Sequence, residues 1–379
     1  MTTETKETRQ EGRMSPMGEV SGAFGDLGTF LPYVVAAIGA GLLAPTALLL
    51  GFAAGYLLVA VVYRTPVAVQ PMKAIGPLML AGALSSQDIV WAGAVIGAAL
   101  LVFAAIPALG GAARAVPQSV VTGLQAGLGL VLLLVAVDYL QTSWSLAIPA
   151  LACLACAYVW PRGPWAIVVI AGGTLWAPSG FGSDAVTSSV AGPADPLTVL
   201  SAIVAQLPLT LLNAVVVTAA VAHQLFPHAR DTVSVRKLAA TSGILNLALA
   251  PLGAMPMCHG AGGVTAHHRF GARGIGAPLL LATLCLVGAA AGPTVIAVLA
   301  RIPDAVIGAL LVFAALDLIA SRRMVNARPD CQPVIAATAV GTLAAGAFVG
   351  LIIGLAAETL RRHIARRRSC RAAGQSHRK

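Results

Sequence analysis

Apolar residues in this chain come in long runs, without the alternation of half-buried strands. Short stretches of Gly, Pro and charge separate them. Many runs reach about 17 to 20 residues, the length an α-helix needs to cross a bilayer's hydrocarbon core. The pattern predicts spans at 20–41, 46–63, 67–84, 89–107, 117–137, 144–160 and 164–178. A second set follows at 197–222, 235–251, 254–269, 276–299, 303–320, 332–346 and 348–361. The expected fold is therefore an all-α polytopic membrane protein of about 14 spans, seven plus seven. The last two runs are short enough to be half-length helices.

Composition agrees, with 58% hydrophobic and 10% charged residues against roughly a quarter charged in soluble domains. A net charge of +10 and a pI near 9.8 do not point to nucleic acid. Eight of the 24 Lys and Arg lie in the tail from Arg361 to Lys379, and nearly all the others sit in short loops. With both termini cytoplasmic, Arg64, Arg114, Arg162, Arg230, Arg236, Lys237, Arg269, Arg273, Arg322, Arg323 and Arg328 all fall on the inner face, as the positive-inside rule requires. Arg301, beside Asp304, falls outside, and Lys73 fits neither face. The expected organisation is a cytoplasmic tail 1–19, a first repeat 20–178, an outer loop 179–196, a second repeat 197–361 and a basic tail 362–379 in contact with lipid headgroups. The polar start has no apolar core with a cleavage site, so it does not read as a signal peptide. The location implied is the inner (plasma) membrane. The six cysteines are scattered and suggest neither a disulfide framework nor a metal site.

The two sets of seven share sequence at a shift of about 185. Val116 to Gly123 recurs as Ile302 to Gly308, and Gln70-Pro71-Met72-Lys73 as Met255-Pro256-Met257-Cys258. An odd number of spans per repeat makes the halves inverted. Within them, 65–77 and 252–263 break the helical pattern with prolines and extended residues. Pro71 and Pro256 are each expected to open a half-helix near the bilayer centre. Two such helix starts facing each other would present unpaired amides and positive dipole ends to an anion. Gln70, Pro71, Met72 and Lys73, with Met257, Cys258, His259 and Gly260, are therefore the candidate binding residues. An ammonium inside a span is costly and usually marks a substrate route or has a partner; the ordinary alternative for Lys73 is snorkelling to the interface. Asp26 interrupts the first span and needs a partner such as Lys73 or a coupling proton, unless it is simply hydrated near the inner mouth. Thr29 and, in the eighth span, Asn213 are candidate orienting groups, with interhelical hydrogen bonding the alternative for Asn213.

Four segments, GEVSGAFGDLGTFLP at 18–32, PVAVQPMKAI at 66–75, LPLTLLNAV at 207–215 and GAMPMCHGAGG at 253–263, resemble the molybdate transporter family, which is related to the sulfate permease superfamily. The resemblance implies an inverted seven-plus-seven fold with a core of spans 1–4 and 8–11, a gate of spans 5–7 and 12–14, and an elevator-like movement between them. It implies secondary transport of a tetrahedral oxyanion, molybdate or alternatively sulfate, with no cofactor and with a homodimer left open. A passive anion channel of the same fold is the nearest rival. An intramembrane enzyme is disfavoured, because no HExxH or paired-carboxylate centre is present, and no GxxxxGK[ST] loop suggests nucleotide hydrolysis.

Overall fold

A computed structural model describes residues 15–39, 41–106, 117–159, 165–176, 194–226, 228–292, 294, 297, 301–320 and 322–376. The expectations for 1–14, for Arg114 and Arg162, and for most of the outer loop lie outside the described residues, as does the side chain of Thr29. The first half contains α1 (Pro16–Ala23), α2 (Leu27–Gly39), α3 (Pro45–Val62), β1 (Val69–Pro71), α4 (Ile75–Leu80), α5 (Ser86–Ala105), α6 (Gln118–Gln141), α7 (Trp144–Val159) and α8 (Trp165–Trp176). In the second half, α9 (Pro196–Leu209) runs through a π-helical stretch, Thr210–Val217, into α10 (Thr218–Leu225). There follow α11 (Ala229–Thr232), α12 (Val235–Leu249), β2 (Met257–His259), α13 (Ala261–Arg269), α14 (Gly276–Ala291), α15 (Asp304–Ile319), α16 (Arg322–Val325) and α17 (Gln332–Ser376). Five helical runs among the described residues are long and apolar enough to cross a membrane, six if bent α1–α2 counts as one.

The internal repeat appears as recurring elements. Relative to α3, β1, α5 and α6, the elements α12, β2, α14 and α15 begin 190, 188, 190 and 186 residues later. Packing respects the exchange of halves: α3 lies against α14, α5 against α12, and α6 against α15. The strands β1 and β2 pair antiparallel, as expected of two halves related by inversion.

Acidic side chains stitch the halves together at helix starts. Glu19, on α1, accepts from the amides of Arg273 (2.7 Å), Gly274 (2.8 Å) and Ala277 (2.9 Å), ahead of and within the first turn of α14. These are among the N–H groups a helix cannot satisfy itself. Asp88 forms a capping box with Ser85 at the start of α5 and also accepts from the amide of Asp195 at 2.8 Å. Asp195 in turn caps α9.

The sequence predicts separate spans at 332–346 and 348–361, and α17 is indeed two helices that meet at a non-helical residue, Gly346 (φ 85°, ψ 166°). A Cβ on Gly350 would lie 2.7 Å from the Thr342 amide nitrogen, and Gly341 approaches the Gly350 Cα. Gly354 likewise sits against the Thr338 side chain. These pairs lie about Gly346, so the chain folds back there into two helices, 332–345 and 347–376. The apolar length of α17 is therefore not one crossing. The small residues at 341, 350 and 354 let the two helices approach closely.

Candidate functional site

Both predicted broken helices, 67–84 and 254–269, are an extended piece followed by a helix. The helices begin later than the prolines suggested, at Ile75 and Ala261. Pro71 ends β1, and Pro256 precedes β2. The reason lies in pairing between the halves. Val69 faces His259, Gln70 faces Cys258 and Pro71 faces Met257, and the Met72 amide donates to the Pro256 carbonyl at 3.0 Å. A proline at a strand end removes no needed donor, so the extended form wins once a partner strand satisfies the backbone.

Side chains close the outer edges of this two-stranded unit. The Tyr56 hydroxyl donates to the Val69 carbonyl at 2.9 Å. Asn246 donates to the Met257 carbonyl at 2.6 Å and accepts from its amide at 2.8 Å, acting as a third strand. Tyr56 and Asn246 lie on α3 and α12, the repeat-related helices. Buried backbone within a membrane is tolerated only when satisfied in this way.

Each half-helix start is faced by a polar side chain from the other half. Gln206 on α9 accepts from the Ala74 amide at 2.7 Å, just before α4, and donates to Thr210 at 2.8 Å. Asp26 lies against the first turn of α13, where a Cβ on Gly263 would come within 2.5 Å of its Oδ2. Gln70 Nε2 reaches both Asp26 carboxylate oxygens at 2.6 Å, and Gly260 leaves room for the Gln70 carboxamide. The expected gap, with two sets of amides awaiting an anion, is thus already furnished by Gln206 and the Asp26–Gln70 pair. Electrostatics explain it: a carboxylate at a helix N-terminus is stabilised by the same dipole that would attract a dissolved anion.

Lys73 does not pair with Asp26. It reaches Asp317 on α15 at 3.6 Å. A small cleft of about 10 Å³, room for about one water and partly open to the outside, lies there between Tyr33, Gln70, Pro71 and Lys73 on one side and Ala314, Asp317 and Leu318 on the other. Of the sequence candidates, Gln70, Pro71 and Lys73 line this cleft. Met72 and Met257 are buried, Met257 with its sulfur beside Gly55. Cys258 is buried opposite Gln70. His259 is held away from the cleft by the Ala68 carbonyl, which accepts from Nδ1 at 3.1 Å, and by Thr241 at 2.8 Å, with Tyr63 packed edge-on. Asn213 lies in the π-helical stretch, with its amide 3.5 Å from the Gln125 carbonyl oxygen on α6. Sequence reasoning missed Tyr33, Tyr56, Gln206, Asn246 and Asp317. The acid at 317, alone in an apolar run from 305 to 320, carried a readable signal; Tyr56 carried none.

Paired broken elements from two inverted halves, packed among apolar helices, define a multi-span membrane transporter. The fold is shared with solved structures. The transmembrane domain of the cyanobacterial bicarbonate transporter BicA superposes with a TM-score of 0.66 at 17% identity, over 89% of this chain and 96% of that one. An SLC26A9 structure gives 0.65 at 14% identity, over 91% of this chain and 64% of that one. The family model "Molybdate transporter of MFS superfamily" matches residues 18–132 and 198–318, and the chain belongs to this molybdate transporter family. It is 28% identical to Molybdate transporter 1 of Arabidopsis thaliana over 90% of this chain and 87% of the relative. It is 27% identical to Molybdate transporter 2 of the same plant, over 89% and 85%. A Chlamydomonas reinhardtii Molybdate transporter 1 is 36% identical over 40% of this chain. These relatives are transporters, not enzymes.

Proposed function

We propose that the protein is a secondary carrier of a tetrahedral oxyanion, molybdate, which it moves by displacing a core against a gate in the inner (plasma) membrane. The observation that carries this reading is Lys73, an ammonium among apolar helices that lines a cleft between β1 and α15. In this reading the cleft widens to admit the oxyanion as core and gate move apart, with Lys73 supplying charge and Gln70 bordering it. The Asp26–Gln70 pair ties the cleft wall to α13, and Asp26 is the candidate for a coupling proton. The Arabidopsis relatives named molybdate transporters favour molybdate over sulfate. The helix packing supports the core and gate division. The pairs α3 with α14 and α5 with α12 belong to one body, and α6 with α15 and α17 to the other.

Uptake of labelled molybdate into vesicles, with sulfate as competitor, tests the reading. Accumulation against a gradient is expected, with molybdate preferred and with both Lys73→Ala and Lys73→Gln transporting at a small fraction of the wild-type rate. Strictly downhill, potential-following flux would make the protein a channel. Normal uptake by both Lys73 variants would remove the lysine from the site.

A further inference from the structure

The cleft contains one group that the proposed function leaves idle. Tyr33 is 3% exposed, and its hydroxyl meets no hydrogen-bond partner among the described residues. Buried polar groups are nearly always paired, and an orphan calls for an explanation such as an absent ligand. The ring is wedged in place by α4: a Cβ on Gly76 would lie 2.6 Å from Tyr33 Cδ1. Tyr33 lines the cleft that Lys73 and Asp317 share.

Asp317 is the one anion among the cleft-lining residues, and its carboxylate is chemically an oxyanion. Its pair with Lys73 is loose, 3.6 Å apart with side chains 25% and 49% exposed. Such partly solvated pairs are weak and exchange readily for another anion. Lys73 belongs to the β1–α4 unit, whereas Asp317 is on α15, which packs with α6. The pair therefore fastens one packing unit to the other.

We infer that Asp317 is a built-in competitor for Lys73, displaced by the substrate oxyanion, and that the Tyr33 hydroxyl donates to the oxyanion once it is bound. A dianion brings twice the charge of Asp317 to Lys73 and supplies the acceptor Tyr33 lacks. Its arrival undoes the tie to α15, so only the loaded unit is released. This rests on the oxyanion reading above and adds its gating element and a further ligand-binding residue.

Equilibrium binding of labelled molybdate and of sulfate to the purified full-length protein tests the inference. Asp317→Asn is expected to bind about two- to fivefold more tightly, the size of a partly exposed ion pair. Asp317→Ser provides a second reading free of any new amide contact. Tyr33→Phe is expected to bind about tenfold more weakly, as for a lost hydrogen bond to a charged group. Its unfolding temperature without anion should match wild type, because an orphan hydroxyl contributes nothing to the empty fold. Unchanged or weaker binding by both Asp317 variants overturns the competitor. Unchanged affinity of Tyr33→Phe, or a lower anion-free unfolding temperature, overturns the tyrosine's role. If wild type binds either anion while Asp317→Asn gains nothing, this inference alone fails. If neither protein binds either anion, the proposed function fails with it.

Discussion

Gly263 and Asn246 show how tightly the centre of the molecule is specified. A methyl at 263 would press on Asp26 Oδ2 and on the Ala68 side chain. Overpacking of this kind costs about 1–3 kcal/mol and would push the carboxylate away from Gln70. Gly263→Ala is expected to yield a folded but less stable protein with little uptake, checked by thermal unfolding beside vesicle transport. Asn246 satisfies two backbone groups of Met257 at once. Asn246→Ala would orphan both, at about 1–3 kcal/mol each, so a clear drop in unfolding temperature is expected in the same assay. Neither effect was legible beforehand. Asn246 reads as one polar residue in an apolar run, and nothing in the sequence says that it faces a strand 11 residues later.

At the scale of elements, the fold-back at Gly346 is the sharpest departure from a simple helical reading. A straight helix would hold residues 338 and 354 about 24 Å apart at 1.5 Å per residue. In the hairpin they are in contact. In a background without native cysteines, Thr338→Cys with Gly354→Cys should cross-link within one chain on mild oxidation, read as a mobility shift reversed by reductant. Failure to cross-link would restore a continuous helix. Replacing Gly346 itself with Ala should cost about 1–2 kcal/mol, because φ 85° is strained for a residue with a Cβ. The sequence indicated short helices here, since the apolar runs at 332–346 and 348–361 are each too brief to cross the membrane fully. It could not show that they turn back on each other.

On the scale of the whole molecule, neither half is complete. β1 lacks its partner without β2, Ala74 lacks Gln206, and the first turn of α13 lacks Asp26. The segment before α14 lacks Glu19. Each half alone would leave buried backbone groups unpaired within the membrane, the most costly defect there. The chain cut between Trp176 and Ala194 and expressed as two pieces should assemble and transport when co-expressed, whereas either piece alone should be degraded or aggregate. Co-purification of tagged halves, followed by uptake, checks both outcomes. A first half that is stable and monodisperse on its own would refute this interdependence.

Lipid solubility, the repeated segments and the break in each half follow from local order along the chain. Runs of apolar residues, loop charges and prolines act through neighbours a few positions apart. Lys73 stood out for the same reason, as a charge that no loop could explain. What faces Lys73 is Asp317, brought in from the other half by α15, and the helix starts that prolines seemed to reserve for a ligand are taken by Gln206 and Asp26, each from the opposite half. Strand pairing decided where those helices begin, because the backbone in a membrane must find its hydrogen bonds inside the protein. Only the two halves together supply them.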